Sequence, residues 1–337
     1  MTCSWCVPVV VAAFAAGCSA PAGLATLHLS KPSGPASIRV GIRDGNKTTI
    51  RKVPLEDYVQ AAILSEFAPP SGEPDVVERM LEVQAVIGRT YALAHLGRHA
   101  AERFDVCSTT HCQLFQPSRV KTSRWAAQSA EAVRRTAGTV LWFDGAPANA
   151  LFHSDCGGHT SKADDVWGGA GSPYLVSVAD DGPAADAHAA WRYEASRGAV
   201  LAALNKNPRT RVGARLDGIQ VIERDGAGRA ERVAIHGTEE RIVRGEALRE
   251  VLAQTFGART IKSTRFDVHR DGATFVFEGR GFGHGVGLCQ AGAFARIRAG
   301  VKTTTVLQRY FPGTRIITMR RAARSGRAAA AALPRQP

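Results

Sequence analysis

Glu66 stands where a carboxylate is costly. On a helical wheel for residues 55–67, at about 100° per residue, Val59, Ala62 and Ile63 surround one direction and Glu66 falls inside that apolar stripe. Glu56, Asp57 and Gln60 fall outside it. A carboxyl facing the apolar side is penalised when ionised, so its pKa rises. A raised carboxylic acid suits protonation of a glycosidic oxygen near neutral pH. A glutamate that snorkels from the last turn, or pairs with a core arginine, fits the same pattern. On the next helix Gln84 and Tyr91 lie in or beside the apolar stripe, placed either to meet a sugar or to satisfy buried backbone. Arg89 falls on the far side.

A second chemistry is written in cysteine and histidine. Cys107, His111 and Cys112 fall within six residues, and His153, Cys156 and His159 within seven. Both spacings suit a tetrahedral zinc ion, although neither is a paired C-x-x-C array. With Cys289 there are four cysteines beyond the N-terminal segment, enough for two disulfides in an oxidising compartment. Cys289 with His284, or Cys156 with His153, offers a thiol nucleophile. Metal or disulfide is favoured over that option, because an exported free thiol tends to oxidise. Around His284, Gly279, Gly281, Gly283, Gly285 and Gly287 alternate. They fit no dinucleotide or P-loop pattern, but they let backbone approach a ligand or a strand closely.

Those residues need a scaffold. Residues 38–43 and 48–53 read as a hairpin. Helices are expected over 55–67, from Pro74 to about His99, and over 125–136. Strands are expected at 139–143 and 148–153 around Asp144-Gly145. The texture then changes: a helix at 197–205, strands near 218–223, 231–235 and 240–243, and a helix at 245–255. The expected class is α+β, with a helical N-terminal half that carries Glu66 at a helix end and a C-terminal half mixing short strands and helices.

The chain has 337 residues, with 43 Lys and Arg against 30 Asp and Glu, a formal charge of +13. The excess persists without the arginine-rich end, so the body suits an anionic partner such as lipid headgroups, nucleic acid or an acidic wall polymer. Residues 1–25 read as a signal peptide. Ala15-Ala16-Gly17-Cys18 makes it a candidate lipoprotein signal, with Cys18 the lipidated residue, although no Lys or Arg precedes the apolar run and the box lacks its usual Leu. Residues 319–337 read as a disordered basic tail.

Together, the runs Val53–Val59, Leu64–Glu66, Gln84–Tyr91, Asp105–Gln113, His153–Thr160 with Val166–Gly168, and Gly279–Gly292 resemble the SpoIID/LytB family of bacterial peptidoglycan proteins. The resemblance spans about residues 38–318. It implies a lytic transglycosylase that cleaves MurNAc-GlcNAc strands to 1,6-anhydro products, with Glu66 as general acid and base. Gln84, Tyr91, His284 and Gln290 are the expected substrate-positioning residues. The chemistry needs no cofactor, and a structural zinc would sit at Cys107, His111 and Cys112. It further implies glycan strands and a wall amidase as partners, while the N-terminal signal implies export to the periplasm or cell envelope, with membrane attachment through Cys18, and argues against nucleic acid. Phe67-Ala68-Pro69 departs from the family's usual Met-Pro, and Cys289-Gln290-Ala291-Gly292 from its Ser-Gln-Tyr-Gly; Ala291 removes a ring that could stack on sugar. Two rivals stand beside this reading: a non-catalytic wall-binding module that enhances an amidase, and a zinc- or thiol-dependent hydrolase.

Overall fold

The computed structural model describes residues 32–69 and 73–321. The expected signal segment with Cys18, in residues 1–31, together with residues 70–72 and 322–337, lies outside the described residues. The fold is mixed α and β, but its N-terminal half is not a helical block. The described chain opens on strands, Ser33–Gly34 and then the hairpin Ser37–Asp44 and Lys47–Pro54. The cause is local: Ile38, Val40 and Ile42 alternate with polar residues, and Thr48, Thr49 and Ile50 are β-branched, a pattern that suits a pleated edge better than a helix.

Helix Leu55–Glu66 follows and packs on the central helix Pro74–Ala94. The central helix is buried on nearly all sides, by the first helix, helix Ala126–Arg135, strand Thr139–Phe143 and the C-terminal helices Gln290–Arg298 and Thr303–Tyr310. Their shared core contains Tyr58, Ile63, Met80, Ile87, Leu141, Leu288, Ile297 and Tyr310. Arg89, expected on the far side, is fully buried. A helix enclosed by protein has no far side, and Arg89 is accommodated because Glu56 meets it at 2.5 Å.

Strand Thr139–Phe143 turns at Asp144-Gly145, both at positive φ, into Ala146–Pro147. Positive φ at both turn positions matches the twist of a two-residue hairpin. The strand expected at 148–153 is reduced to Phe152–His153, which pairs in parallel with Leu288–Cys289. Met319 packs on the core, and Arg320–Arg321 pair with Ser33–Gly34, so the expected tail begins later than residue 319.

Between these segments lies a second lobe with its own core of Val200, Leu204, Ile219, Val233, Leu248, Phe275 and Phe277. It holds two three-stranded antiparallel sheets. One is Leu216–Arg224, Ala230–Gly237 and Arg241–Arg244; the other is Ala190–Ser196, Thr274–Arg280 and Phe266–Asp271. Helices Arg197–Asn205 and Gly245–Phe256 complete it. The two helices and the first sheet agree closely with the sequence expectation, whereas the three strands of the second sheet were not expected, and the separate core does not follow from local pattern.

Candidate active site

A cleft of about 1050 Å³ is bordered by residues of both the body and the lobe. Glu66 ends its helix on the body side, where Phe67 turns extended (φ −123°) ahead of Pro69. The Leu114 backbone N–H donates to Glu66 Oε1 at 2.5 Å. Burial holds the carboxyl above the usual glutamate range, and the Leu114 N–H pulls only partly the other way. Neighbouring contacts lace the same loop to the helix: the Gln116 N–H donates to Ser65 Oγ, the Tyr58 hydroxyl donates to Gln113, and Tyr58 stacks on Phe115.

Tyr91, Gln290 and His284 also line the cleft. Tyr91 stacks on His95 with ring centroids 4.0 Å apart, and burial pushes its phenol up to about 12. Gln84 does not line the cleft; its carbonyl accepts the Gln290 amide at 3.2 Å, so it holds Gln290 from behind. His284 has both ring nitrogens engaged by backbone. Nε2 donates to the Phe152 carbonyl and Nδ1 accepts from the Val286 N–H. Burial lowers its pKa to about 4, so the ring is neutral at pH 7 and offers a ligand only carbon edge and face. Beside it Trp167, an exposed indole lining the cleft, lies 5.2 Å away. Sequence reasoning quoted Trp167 only as part of a motif; its exposure is what marks it.

The glycine run presses against protein rather than a ligand. At Gly287 (φ 73°) an added Cβ would collide with the Leu151 carbonyl, and at Gly285 (φ 84°) with the buried Arg229 guanidinium. The run is therefore a close-packed floor beneath the cleft.

Neither other histidine–cysteine pairing forms. His153 donates from Nδ1 to the Val286 carbonyl, and His159 bonds Ser177 and Thr160. Cys156 and Cys289 lie beside each other, with the Cys156 N–H 3.2 Å from Cys289 Sγ. All four described cysteines are free thiols. The group Cys107, His111 and Cys112 does assemble, and His99 joins it. The four donor atoms lie within 4.8 Å of one another, with Cys112 Sγ 3.4 Å from His99 Nε2 and both sulfurs 3.7 Å from His111 Nδ1. Two thiols and two imidazoles so spaced suit a tetrahedral zinc. Glu102 accepts from His99 Nδ1 at 2.6 Å, fixing the tautomer that leaves Nε2 as the donor. His99 was missed because the helix was expected to run to about His99; it ends at Ala94, and His99 turns toward the cysteines instead.

None of the aspartates in the quoted motifs reaches the cleft. Asp105 is paired with Arg39 at 2.9 Å and held low, Asp155 is paired with His188, Asp57 is exposed, and none of the three lines the cleft. Across the cleft, the lobe helix presents Glu246, bound by Arg249, and Glu250, pushed up by burial and by Glu246.

Residues 43–143 match the SpoIID family, described as Stage II sporulation protein, and residues 183–287 match a domain of unknown function, DUF8618. The second match coincides with the lobe. The chain is 28% identical over 299 residues to Stage II sporulation protein D of Bacillus subtilis (strain 168), covering 84% of this chain and 79% of that one. It is 27% identical over 286 residues to Stage II sporulation protein D of Bacillus amyloliquefaciens, covering 80% and 75%. It is 25% identical over 277 residues to the amidase enhancer of Bacillus subtilis (strain 168), covering 69% of this chain and 37% of that protein. With the ordered motifs and the helix-end glutamate, these matches give the chain a SpoIID-family domain over residues 43–143 and a likeness to Stage II sporulation protein D over most of its length.

Proposed function

We propose that the chain is a peptidoglycan lytic transglycosylase that cleaves MurNAc-GlcNAc strands with Glu66 as its one acid and base. The observation that carries this is a single carboxyl on the body wall of the cleft, held above its usual range by burial. Protonated Glu66 donates to the glycosidic oxygen as the bond to MurNAc C1 breaks. The sugar's own C6 hydroxyl closes on C1, and the Glu66 carboxylate removes that hydroxyl's proton, giving the 1,6-anhydro end. A hydrolase would need a second carboxylate placed for water or for covalent attack; the body wall supplies none besides Glu66, and the carboxyls across the cleft are Glu246, bound by Arg249, and Glu250. Trp167 supplies a face for a sugar ring, and Gln290 and the Tyr91 hydroxyl supply polar contacts.

A zinc held by His99, Cys107, His111 and Cys112 is structural in this reading. Four protein donors close a tetrahedron and leave no place for a reactive water, which disfavours the zinc-hydrolase rival. Its role is to stiffen the loop whose Leu114 N–H holds Glu66. The setting is the cell envelope, reached by the N-terminal signal and with Cys18 as lipid anchor. No helix among the described residues is long and apolar enough to cross a membrane.

The test uses purified sacculi and amidase-stripped glycan strands, with products read by mass spectrometry. Anhydro ends from the wild type, and none from Glu66→Gln, are expected. Anhydro ends from both proteins would remove Glu66 from the chemistry. The similarity to an amidase enhancer favours a second reading, in which the chain binds the wall and stimulates an amidase. In that case neither protein yields anhydro ends, and both raise amidase activity equally.

A further inference from the structure

Behind the cleft floor lies a buried group that the proposed reaction does not use. The donor atoms of Asp155, Cys156, His188 and Cys289 all lie within 4.8 Å of one another. Three chain-distant segments deliver them. Parallel pairing of Phe152–His153 with Leu288–Cys289 brings the loop at 155–158 to the start of helix Gln290–Arg298, and the stretch before strand Ala190–Ser196 adds His188.

Both sulfurs sit among backbone donors. Cys289 Sγ accepts from the N–H groups of Cys156 (3.2 Å) and Gly292 (3.3 Å), and Cys156 Sγ accepts from the Gly158 N–H (3.3 Å). Such bonds stabilise anionic sulfur, the form that binds metal. His188 is oriented for the same task. Asp155 Oδ1 accepts from its Nδ1 at 2.6 Å, while Nε2 is buried with no hydrogen-bond partner. This is the carboxylate–histidine arrangement that fixes a metal-binding tautomer. Asp180 completes the set. Its Oδ1 is occupied by the Tyr310 hydroxyl and Arg296, but its Oδ2 lies 3.2 Å from Cys156 Sγ and 3.8 Å from His188 Nε2. Those two separations are of the size that donors about 2.0–2.3 Å from one metal would have, and Cys156 Sγ also lies 3.9 Å from the His188 ring at Nδ1.

We propose that Cys156, His188, Asp180 and Cys289 form a second, structural site for zinc or a similar thiolate-binding divalent metal, with Asp155 orienting His188. Two buried thiols and the unpartnered Nε2 of His188, gathered beside the free oxygen of Asp180, form a donor set that a divalent metal would fill. None of the four proposed donors lines the cleft, so the metal takes no part in the reaction there. It pins the first residues of the lobe's stem to the body at the cleft floor.

The full chain, purified without chelator, is compared with Cys107→Ser/Cys112→Ser, which empties the loop cluster, and with that variant carrying His188→Ala in addition. Metal content is read by mass spectrometry, and Co²⁺ is used as a spectroscopic probe. The loop variant is expected to retain one equivalent of metal and to show a thiolate-to-cobalt charge-transfer band. His188→Ala is expected to weaken cobalt binding at least ~10-fold. Cys156→Ser/Cys289→Ser should abolish the band; if that variant fails to fold, the His188 comparison still decides. A loop variant that holds no metal and gives no band overturns the proposal, whether Cys156 and Cys289 are recovered as free thiols or as a linked disulfide peptide.

Discussion

Replacing Glu56 by glutamine should cost more stability than replacing its buried partner Arg89 by methionine. Arg89 has no exposure. Its Nε and Nη2 donate to the two Glu56 oxygens at 3.0 and 2.5 Å, and its Nη1 donates to the carbonyls of Ala85 (3.3 Å) and Thr139 (3.1 Å). The carboxylate is the nearest compensation for a guanidinium sealed between the central helix, helix Ala126–Arg135 and the strand that follows. Removing one partner of a buried pair costs about 3–5 kcal/mol, because the other charge stays behind. Glu56 is 31% exposed, so water screens part of the pairing and the lower end, about 3 kcal/mol, applies. Arg89→Met leaves the opposite remnant: a carboxylate that can turn to water and carbonyls short of one donor, for about 1–2 kcal/mol. Urea denaturation of the two single variants and the double variant Glu56→Leu/Arg89→Met measures both costs and their coupling. Thermal melts should place Glu56→Gln roughly 6 °C or more below the wild type. A cost below about 1 kcal/mol for Glu56→Gln, or a larger one for Arg89→Met, would refute the claim that the buried charge depends on Glu56. Glu56 and Glu66 stand at opposite ends of one helix, about 15 Å apart along its axis. Activity per folded molecule should therefore be unchanged.

Other outcomes follow from the site. Burial raises the Glu66 pKa, so its ionisation weakens the fold as pH rises through that value. Glu66→Gln should melt at or above the wild type at pH 7, with the gain fading once pH falls below the ordinary carboxyl range; a clear loss at pH 7 would indicate a structural ion pair instead. The same variant should lose about 10²–10⁴-fold in turnover, and wild-type activity should decline as pH rises through the Glu66 value. Trp167→Ala should raise KM for glycan strands about 10-fold with little change in kcat, measured by initial rates. Gly292→Ala places a methyl against Asp180 and the Tyr310 hydroxyl and should cost about 1–3 kcal/mol in chemical denaturation. Chelation should slow turnover and expose the 107–116 loop to protease without touching Glu66.

Local pattern reached far in this chain because most elements obey it. The helix at 197–205 and the lobe strands between 216 and 244 were legible from local pattern, those at 190–196, 266–271 and 274–280 were not, and Glu66 was legible as a carboxyl out of place. What escaped was long-range. Cys156 meets Cys289 because a parallel strand pair joins residues 152–153 to 288–289, Asp155 holds His188 beside them, and no periodicity encodes either contact. Arg89 was misplaced because a wheel sends every charge to water, whereas an enclosed helix brings its own counter-ion. His284 looked like a free donor by residue type; backbone groups on both nitrogens take that role away.

The lobe leaves and re-enters the body on neighbouring strands, Ala190 directly opposite Arg280 in an antiparallel pair. Two chain ends so placed are within reach of a short turn, so the lobe is a cassette. It could be gained, lost or exchanged without disturbing the body core, since the two cores are separate. One wall of the cleft would then change its chemistry while the glutamate on the other stayed where it was. Under the proposed function, diversity in which glycan is accepted can accumulate in the cassette, and constancy in how it is cut can be kept by the frame.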